Sequence, residues 1–207
     1  MFVTLEGIDG AGKSTQAAML AAALGERAQL LREPGGTEAG ERLRELLKDP
    51  AVTLEPRAEL LLFAAARAQL VEQVIRPALA DGRIVVCDRF VDSTLAYQGA
   101  GRGLGAELVG AVNDAAIAGC MPDLTVFLRL DPEAAIERLG RRDGATGTAT
   151  DRFEAEGPGF QARIAAEYER ITAAEPERVV ALDASADADT VHAAVLELVS
   201  AHIEAAA

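Results

Sequence analysis

The stretch GIDGAGKS at residues 7–14 constrains this chain more than any other. It meets the spacing G-x-x-x-x-G-K-[ST]. A short apolar, β-branched run (FVTLE, 2–6) precedes it, and strong helix formers follow from 13 to 24. A loop placed between a strand and a helix in this way suits a phosphate chain. Phosphate oxygens must lie against successive backbone N–H groups, so side chains have to stay clear and glycine is needed for the dihedrals. The helix starting near Lys13 adds unpaired N–H groups and the positive end of its dipole. Gly7, Ile8, Asp9, Gly10, Ala11, Gly12, Lys13, Ser14 and Thr15 are therefore the expected ATP-binding set.

Lysine is rare here: Lys13 and Lys48 stand against eighteen arginines. By composition the motif would arise by chance in roughly one chain in a thousand, which leaves little room for a glycine-rich turn with a surface lysine. A compact ammonium on a flexible stem reaches between β- and γ-phosphates as a point charge, where a planar guanidinium is bulkier and directional. Ser14 offers a hydroxyl to Mg²⁺. The motif does not name an acceptor.

Strand-like runs recur at 28–32, 83–88, 124–130 and 178–183, with RIVVCD at 83–88 the clearest buried parallel strand. Helical patterns fill the intervals at 37–48, 56–80, 105–118, 131–142, 154–175 and 187–205. The glycine-rich segment 99–105 reads as a loop, and DGATGTATD at 143–151 as a mobile one, too small and polar to bury much surface. Strands alternating with helices predict an α/β fold in three layers, a P-loop NTPase with a five-stranded parallel sheet flanked by helices. One domain over 1–207 is expected, with a small lid at about 141–153.

A net charge of −13 argues against stable nucleic-acid binding or an anionic membrane partner, while a small anion needs only a local cluster of donors. No apolar run approaches the ~20 residues that span a bilayer, and the N-terminal stretch has no basic leader, so a cytoplasmic location is expected. Cys87 and Cys120 read as reduced thiols, and two histidines with no Cys/His cluster make a zinc site a poor fit.

Four further stretches narrow the acceptor: REPGGT at 32–37, LLFAAARAQ at 61–69, DRFVDSTLAYQGAGRG at 88–103 and DRFE at 151–154. Together with GIDGAGKST, and in this order over nearly the whole chain, they resemble the thymidylate kinase family. The pair REPGGT and DR-x(3)-ST-x-AYQG is specific to that family, beyond the generic phosphate loop. The resemblance implies transfer of the ATP γ-phosphate to dTMP with Mg²⁺, giving dTDP for DNA precursor supply, and a homodimer whose apolar face comes from helix 105–118 or 56–80.

It also implies roles. Arg89 matches the arginine that holds the acceptor phosphate, a task suited to a bidentate guanidinium. Asp88, at the C-terminal end of a parallel strand, either organises the waters of Mg²⁺ or pairs with a nearby arginine. Phe63 and Arg67, four apart on one helix face, match the thymine-stacking ring and the arginine that reaches its O4; without the resemblance Phe63 reads as core. Ser93, Tyr97 and Gln98 match positions lining base and sugar, with Tyr97 crowding the sugar 2′ position or simply buried. Asp9 matches a carboxylate near the sugar 3′-OH and the acceptor phosphate, and Glu33 is a candidate for the same pocket. In one branch of the family an arginine in the phosphate loop covers the transferring group. Here that slot is Gly10, so Arg141, Arg142 and Arg152 of the lid are the expected catalytic cations, alongside Lys13 and Arg89.

Two departures stand out. The family carries an aspartate soon after the fourth strand, where FLRLDPE has Arg129 with Asp131 displaced, and the lid is unusually small and polar. Other readings are a kinase for another mononucleotide and a guanine-selective switch. The switch would carry N-K-x-D, and this chain has no N-K pair.

Overall fold

The computed structural model describes residues 1–146, 152–153 and 156–205, without the side chains of 142–146. Five strands, β1 (Phe2–Glu6), β2 (Ala28–Arg32), β3 (Ile84–Asp88), β4 (Leu124–Arg129) and β5 (Val179–Asp183), form one parallel sheet in the order β2-β3-β1-β4-β5. Central β1 is buried along its whole length, as a strand flanked by parallel neighbours and covered on both faces must be. Its side chains alternate: Val3 and Leu5 enter one core cluster with Leu20, Val195 and Val199, and Phe2 enters the other with Leu70, Ile75 and Phe90. Each fully buried Val or Leu of this kind contributes about 1.5–3 kcal/mol.

Helices α1 (Lys13–Leu24) and α9 (Ala188–Ala205) pack together against the sheet. Helix α2 (Glu38–Lys48) starts where the Thr37 hydroxyl accepts from Gly40 N–H at 3.0 Å, while Glu41 reaches back to Gly36 N–H at 2.8 Å. The single helix expected over 56–80 is a helix with a wide turn. Helix α3 (Pro56–Leu70) passes through a π-turn (Val71–Ile75) into α4 (Arg76–Ala80). Pro77 has no N–H for the preceding turn and crowds its carbonyl, and the widened turn just before it relieves that conflict.

Two boundaries depart from the sequence reading. Helix α5 (Val91–Thr94) runs into a second π-helix (Leu95–Gly101), so part of the expected 99–105 loop is helical. Arg102 N–H closes this wide turn on Tyr97 O at 2.8 Å. A side chain at Gly101 would strike the Phe160 ring of α8 (Pro158–Ala174), at 2.7 Å, so glycine lets the two helices meet. Helix α6 (Ala106–Ile117) then packs on α3. Helix α7 (Pro132–Thr146) runs past the expected end at 142 into the segment read as a loop. Residues 147–151, the rest of that segment, lie outside the described residues.

Asp92 of α5 is buried and forms a fork with Arg178, the residue before β5, at 2.7 and 2.8 Å. Thr125 on β4 donates to the same carboxylate at 3.1 Å. Asp92→Ala leaves this guanidinium without its buried partner. A loss of about 3 kcal/mol is expected, read as a lower urea midpoint with an unchanged slope.

Candidate functional site

Open parallel sheets bind ligands beyond the carboxyl ends of their strands. Here β1 ends in the phosphate loop, β2 in Glu33, and β3 in Asp88 and Arg89. Between them lies a cavity of about 710 Å³. It takes in every residue from Asp9 to Gln16, and also Glu33, Phe63, Arg67, Asp88, Arg89, Ser93, Tyr97 and Gln98. Of the expected ATP-side set, Asp9 to Thr15 share this space with the expected acceptor-side residues, while Gly7 and Ile8 lie outside its lining. Lys48 lines it too, so both lysines of the chain face the same cavity.

The loop is shaped by backbone. Gly12, at φ 93°, caps α1 with no side chain, and the first turn holds no acidic residue, so its N–H groups and positive dipole end stay open to an anion. Gly10, at φ 87°, backs onto α7: a Cβ there would stand 2.6 Å from the Ala135 carbonyl oxygen. Lys13 is 5% exposed and donates to Ile8 O at 2.8 Å. Burial, and then the nearby charge of Arg89, lower its pKa to about 8. Ser14 donates to Asp88 Oδ2, while Asp88 Oδ1 is buried with no hydrogen-bond partner among the described residues. A hydroxyl beside a half-unsatisfied carboxylate fits a Mg²⁺ that draws its other ligands from water and phosphate.

Arg89 joins the two halves. Its guanidinium donates to Gly7 O at 3.2 Å, to Ser93 Oγ and Tyr97 OH at 3.0 Å each, and to Asp9 Oδ1. It lies over the Tyr97 ring at 4.8 Å, and Tyr97 OH donates to Asp9 Oδ2 at 2.8 Å. Burial would raise the Asp9 pKa, but Arg89 and Lys13 outweigh it and hold the carboxyl below its usual value. The Arg89 backbone is left-handed, φ 73°, a conformation that costs a non-glycine residue about 1–2 kcal/mol.

At the far end Phe63 is half-buried and meets Phe153 edge-on at 5.8 Å. Arg67 is 1% exposed, with Nε on Glu33 at 2.8 Å, Nη1 on Asn113 at 2.6 Å and Nη2 on Phe90 O at 3.0 Å. Glu33, whose pKa burial raises against the pull of Arg67, is therefore the arginine's anchor as well as a wall of the pocket.

Two of the expected lid arginines are paired away from the phosphate loop. Arg141 is exposed and pairs with Glu137 one turn back at 3.0 Å. The Arg142 side chain lies outside the described residues. Arg152 pairs with fully buried Glu59 at 2.8 Å, beside Gln98 at 2.8 Å and Arg102 at 3.1 Å on the same carboxylate. Arg129, in the family's aspartate slot, forks onto Glu169 of α8 at 2.6 Å, and Asp131 caps α7 by accepting from Glu133 N–H at 2.9 Å. The β4–β5 register runs undisturbed through Arg129 opposite Asp183.

Sequence reasoning passed over Glu6, Glu59, Phe153 and Tyr168. Glu6 carried a readable signal, a charge inside an otherwise uncharged buried strand, whereas Glu59 lies in a helix where glutamate is ordinary. The cavity also reaches the turn before α9, where Gln16 donates to Ala188 O at 2.8 Å and Arg138 to Ser185 O at 3.0 Å.

A sequence profile described as "Thymidylate kinase" matches residues 5–195. The thymidylate kinase of Solidesulfovibrio magneticus is 50% identical over 201 residues, covering 94% of this chain and 96% of that one. That of Deinococcus radiodurans is 45% identical over 203 residues, covering 97% and 96%. The crystal structure of thymidylate kinase from Ehrlichia chaffeensis superposes with a TM-score of 0.78 at 35% identity, over 97% of this chain and 98% of the other.

Proposed function

The chain belongs to the thymidylate kinase family and transfers the γ-phosphate of ATP to dTMP, giving dTDP and ADP on the route to dTTP for DNA synthesis; we propose that the cavity at the carboxyl ends of the strands holds both nucleotides, with Arg89 at their junction. The observation that carries this reading is the reach of that guanidinium, whose Nη1 donates to Gly7 O of the phosphate loop and to Ser93, and whose Nη2 donates to Asp9 and Tyr97.

In this reading the loop amides, the start of α1 and Lys13 hold the triphosphate. Arg89 aims the dTMP phosphate, Asp9 approaches the sugar 3′-OH, and Tyr97 crowds the 2′ position. Ser93 and Gln98 line base and sugar, and Glu33 fixes Arg67. Phe63 stacks on thymine, while Arg67 meets its O4. An oxygen of the dTMP phosphate attacks the γ-phosphorus as the bond to the β–γ bridging oxygen breaks. The attacking oxygen is already anionic, so no side chain need remove a proton. Ser14 and Asp88 would hold Mg²⁺, whose charge neutralises the phosphate oxygens when it is bound. Arg152, with Arg141 and Arg142, supplies further positive charge on closure of the lid, which excludes water as a competing acceptor. Arg152 would have to leave Glu59 to do so.

We also infer a homodimer, from exposed Leu61 on α3 and Leu108 on α6, 58% and 40% accessible on helices that pack side by side. A cytoplasmic location suits the two unpaired cysteines. A panel of monophosphates offered with ATP and Mg²⁺ tests the acceptor reading. ADP release with dTMP is expected to outpace that with AMP, CMP, GMP or UMP by about a hundredfold or more, since a site built to bond one base leaves polar groups unpaired with another. Comparable rates with any of those four would overturn it.

A further inference from the structure

Glu6 ends β1 and is completely buried, yet it is absent from the cavity wall. Its two oxygens divide their work. Oε1 accepts the backbone N–H of Phe90 at 2.7 Å and of Ser93 at 3.2 Å. Oε2 accepts the Ser93 hydroxyl, and the Tyr168 hydroxyl at 2.8 Å. All four donors come from the segment carrying Arg89 or from α8 behind it.

Two consequences follow from the direction of these bonds. First, the Ser93 proton is committed to Glu6, so the Ser93 oxygen presents lone pairs outward, and Arg89 Nη1 donates to it at 3.0 Å. Donation then runs one way, from Arg89 to Ser93 to Glu6. Second, the left-handed backbone at Arg89 is pinned on both sides: its own N–H bonds Leu5 O at 3.0 Å, and the next N–H bonds Glu6. A chain in an uncommon conformation persists where its neighbours over-determine it.

We propose that Glu6 is a positioning residue for the acceptor phosphate, acting through Ser93 and the backbone of residues 89–93 to aim the Arg89 guanidinium. This rests on the kinase reading above and adds to it a residue that touches neither nucleotide.

Glu6→Gln is the informative variant. It keeps the size of the side chain and an oxygen for the Phe90 and Ser93 amides. It puts an N–H₂ where Oε2 was, so the Ser93 and Tyr168 hydroxyls, 3.0 Å apart, lose their shared acceptor and must turn, which re-aims the Ser93 oxygen that receives Arg89 Nη1. The KM for dTMP is expected to rise about tenfold with the KM for ATP within about twofold, as for loss of a charge-assisted hydrogen bond that serves one substrate. A Glu6→Gln, Ser93→Ala double variant should be no worse than the poorer single, because both break the same path. A folded Glu6→Gln enzyme with wild-type dTMP kinetics, or a double variant whose losses multiply, would overturn the proposal. Tyr168→Phe guards against misfolding of the first variant. It removes one donor to Oε2 and is expected to raise the dTMP KM about two- to threefold, and an unchanged KM there also counts against Glu6. The wild type is assayed alongside: no dTMP-dependent ADP release removes the kinase reading itself, while normal release beside an unaffected Glu6→Gln removes only this inference.

Discussion

Arg89→Ala is expected to lower kcat/KM for dTMP by about a thousandfold, with the KM for ATP little changed. The size of the effect follows from what the guanidinium does. It is 17% exposed, and it bridges the phosphate loop and three acceptor-side residues. Alanine removes the fork for the acceptor phosphate and also strips Asp9 and Tyr97 of their common partner. Asp9, held ionised by Arg89 and Lys13, would then face an incoming dianion with part of its compensating charge gone. Arg89→Lys keeps the charge but loses the planar fork, and about a thirtyfold loss is expected. Steady-state rates with dTMP varied at saturating ATP give the answer. Unchanged dTMP kinetics in the alanine variant would place the acceptor phosphate elsewhere.

Lys13→Ala is the second large effect. A fall in kcat of at least about a thousandfold is expected, because the ammonium is the loop's own point charge for the β- and γ-phosphates. Its buried position, bonded to Ile8 O, keeps it aimed at the loop; burial and then Arg89 lower its pKa against the pull of Asp9, Asp88 and Glu6, and a bound triphosphate favours the charged form. The acceptor half should survive: dTMP affinity by calorimetry is expected to stay within about threefold of wild type. Turnover within tenfold of wild type would show that another cation carries this task.

The sequence was most readable where structure is local. β1, the phosphate loop and α1 follow from adjacent residues, since backbone dihedrals, helix propensity and a dipole end act over a few positions. β3 was plain for the same reason, a continuous apolar run that only a strand covered on both faces can bury. What stayed hidden depends on partners far along the chain. At the end of the π-helix over Leu95–Gly101, Gly101 leaves room for the ring of Phe160, about sixty positions away. Arg152 was assigned to the lid by its neighbourhood, while the structure pairs it with Glu59, a residue with no local mark. Arg129 stood out only as a departure at the family's aspartate slot; the fork it forms with Glu169, on an intact strand, needed a partner forty positions away. Glu6 lay in view within FVTLE. Its meaning required residues far along the chain, where Phe90, Ser93 and Tyr168 converge on it.

The carbonyl oxygen of Ala135 stands 2.6 Å from where the first carbon of any side chain at position 10 would go, too near for it to fit. Geometry rejects a bulky resident there before its electrical merits count. An enzyme walled in this way cannot station a permanent cation inside its nucleotide grip from that side. Under the proposal that Arg152 leaves Glu59 to bring further charge to the transfer, the resting protein and the reacting protein differ in shape.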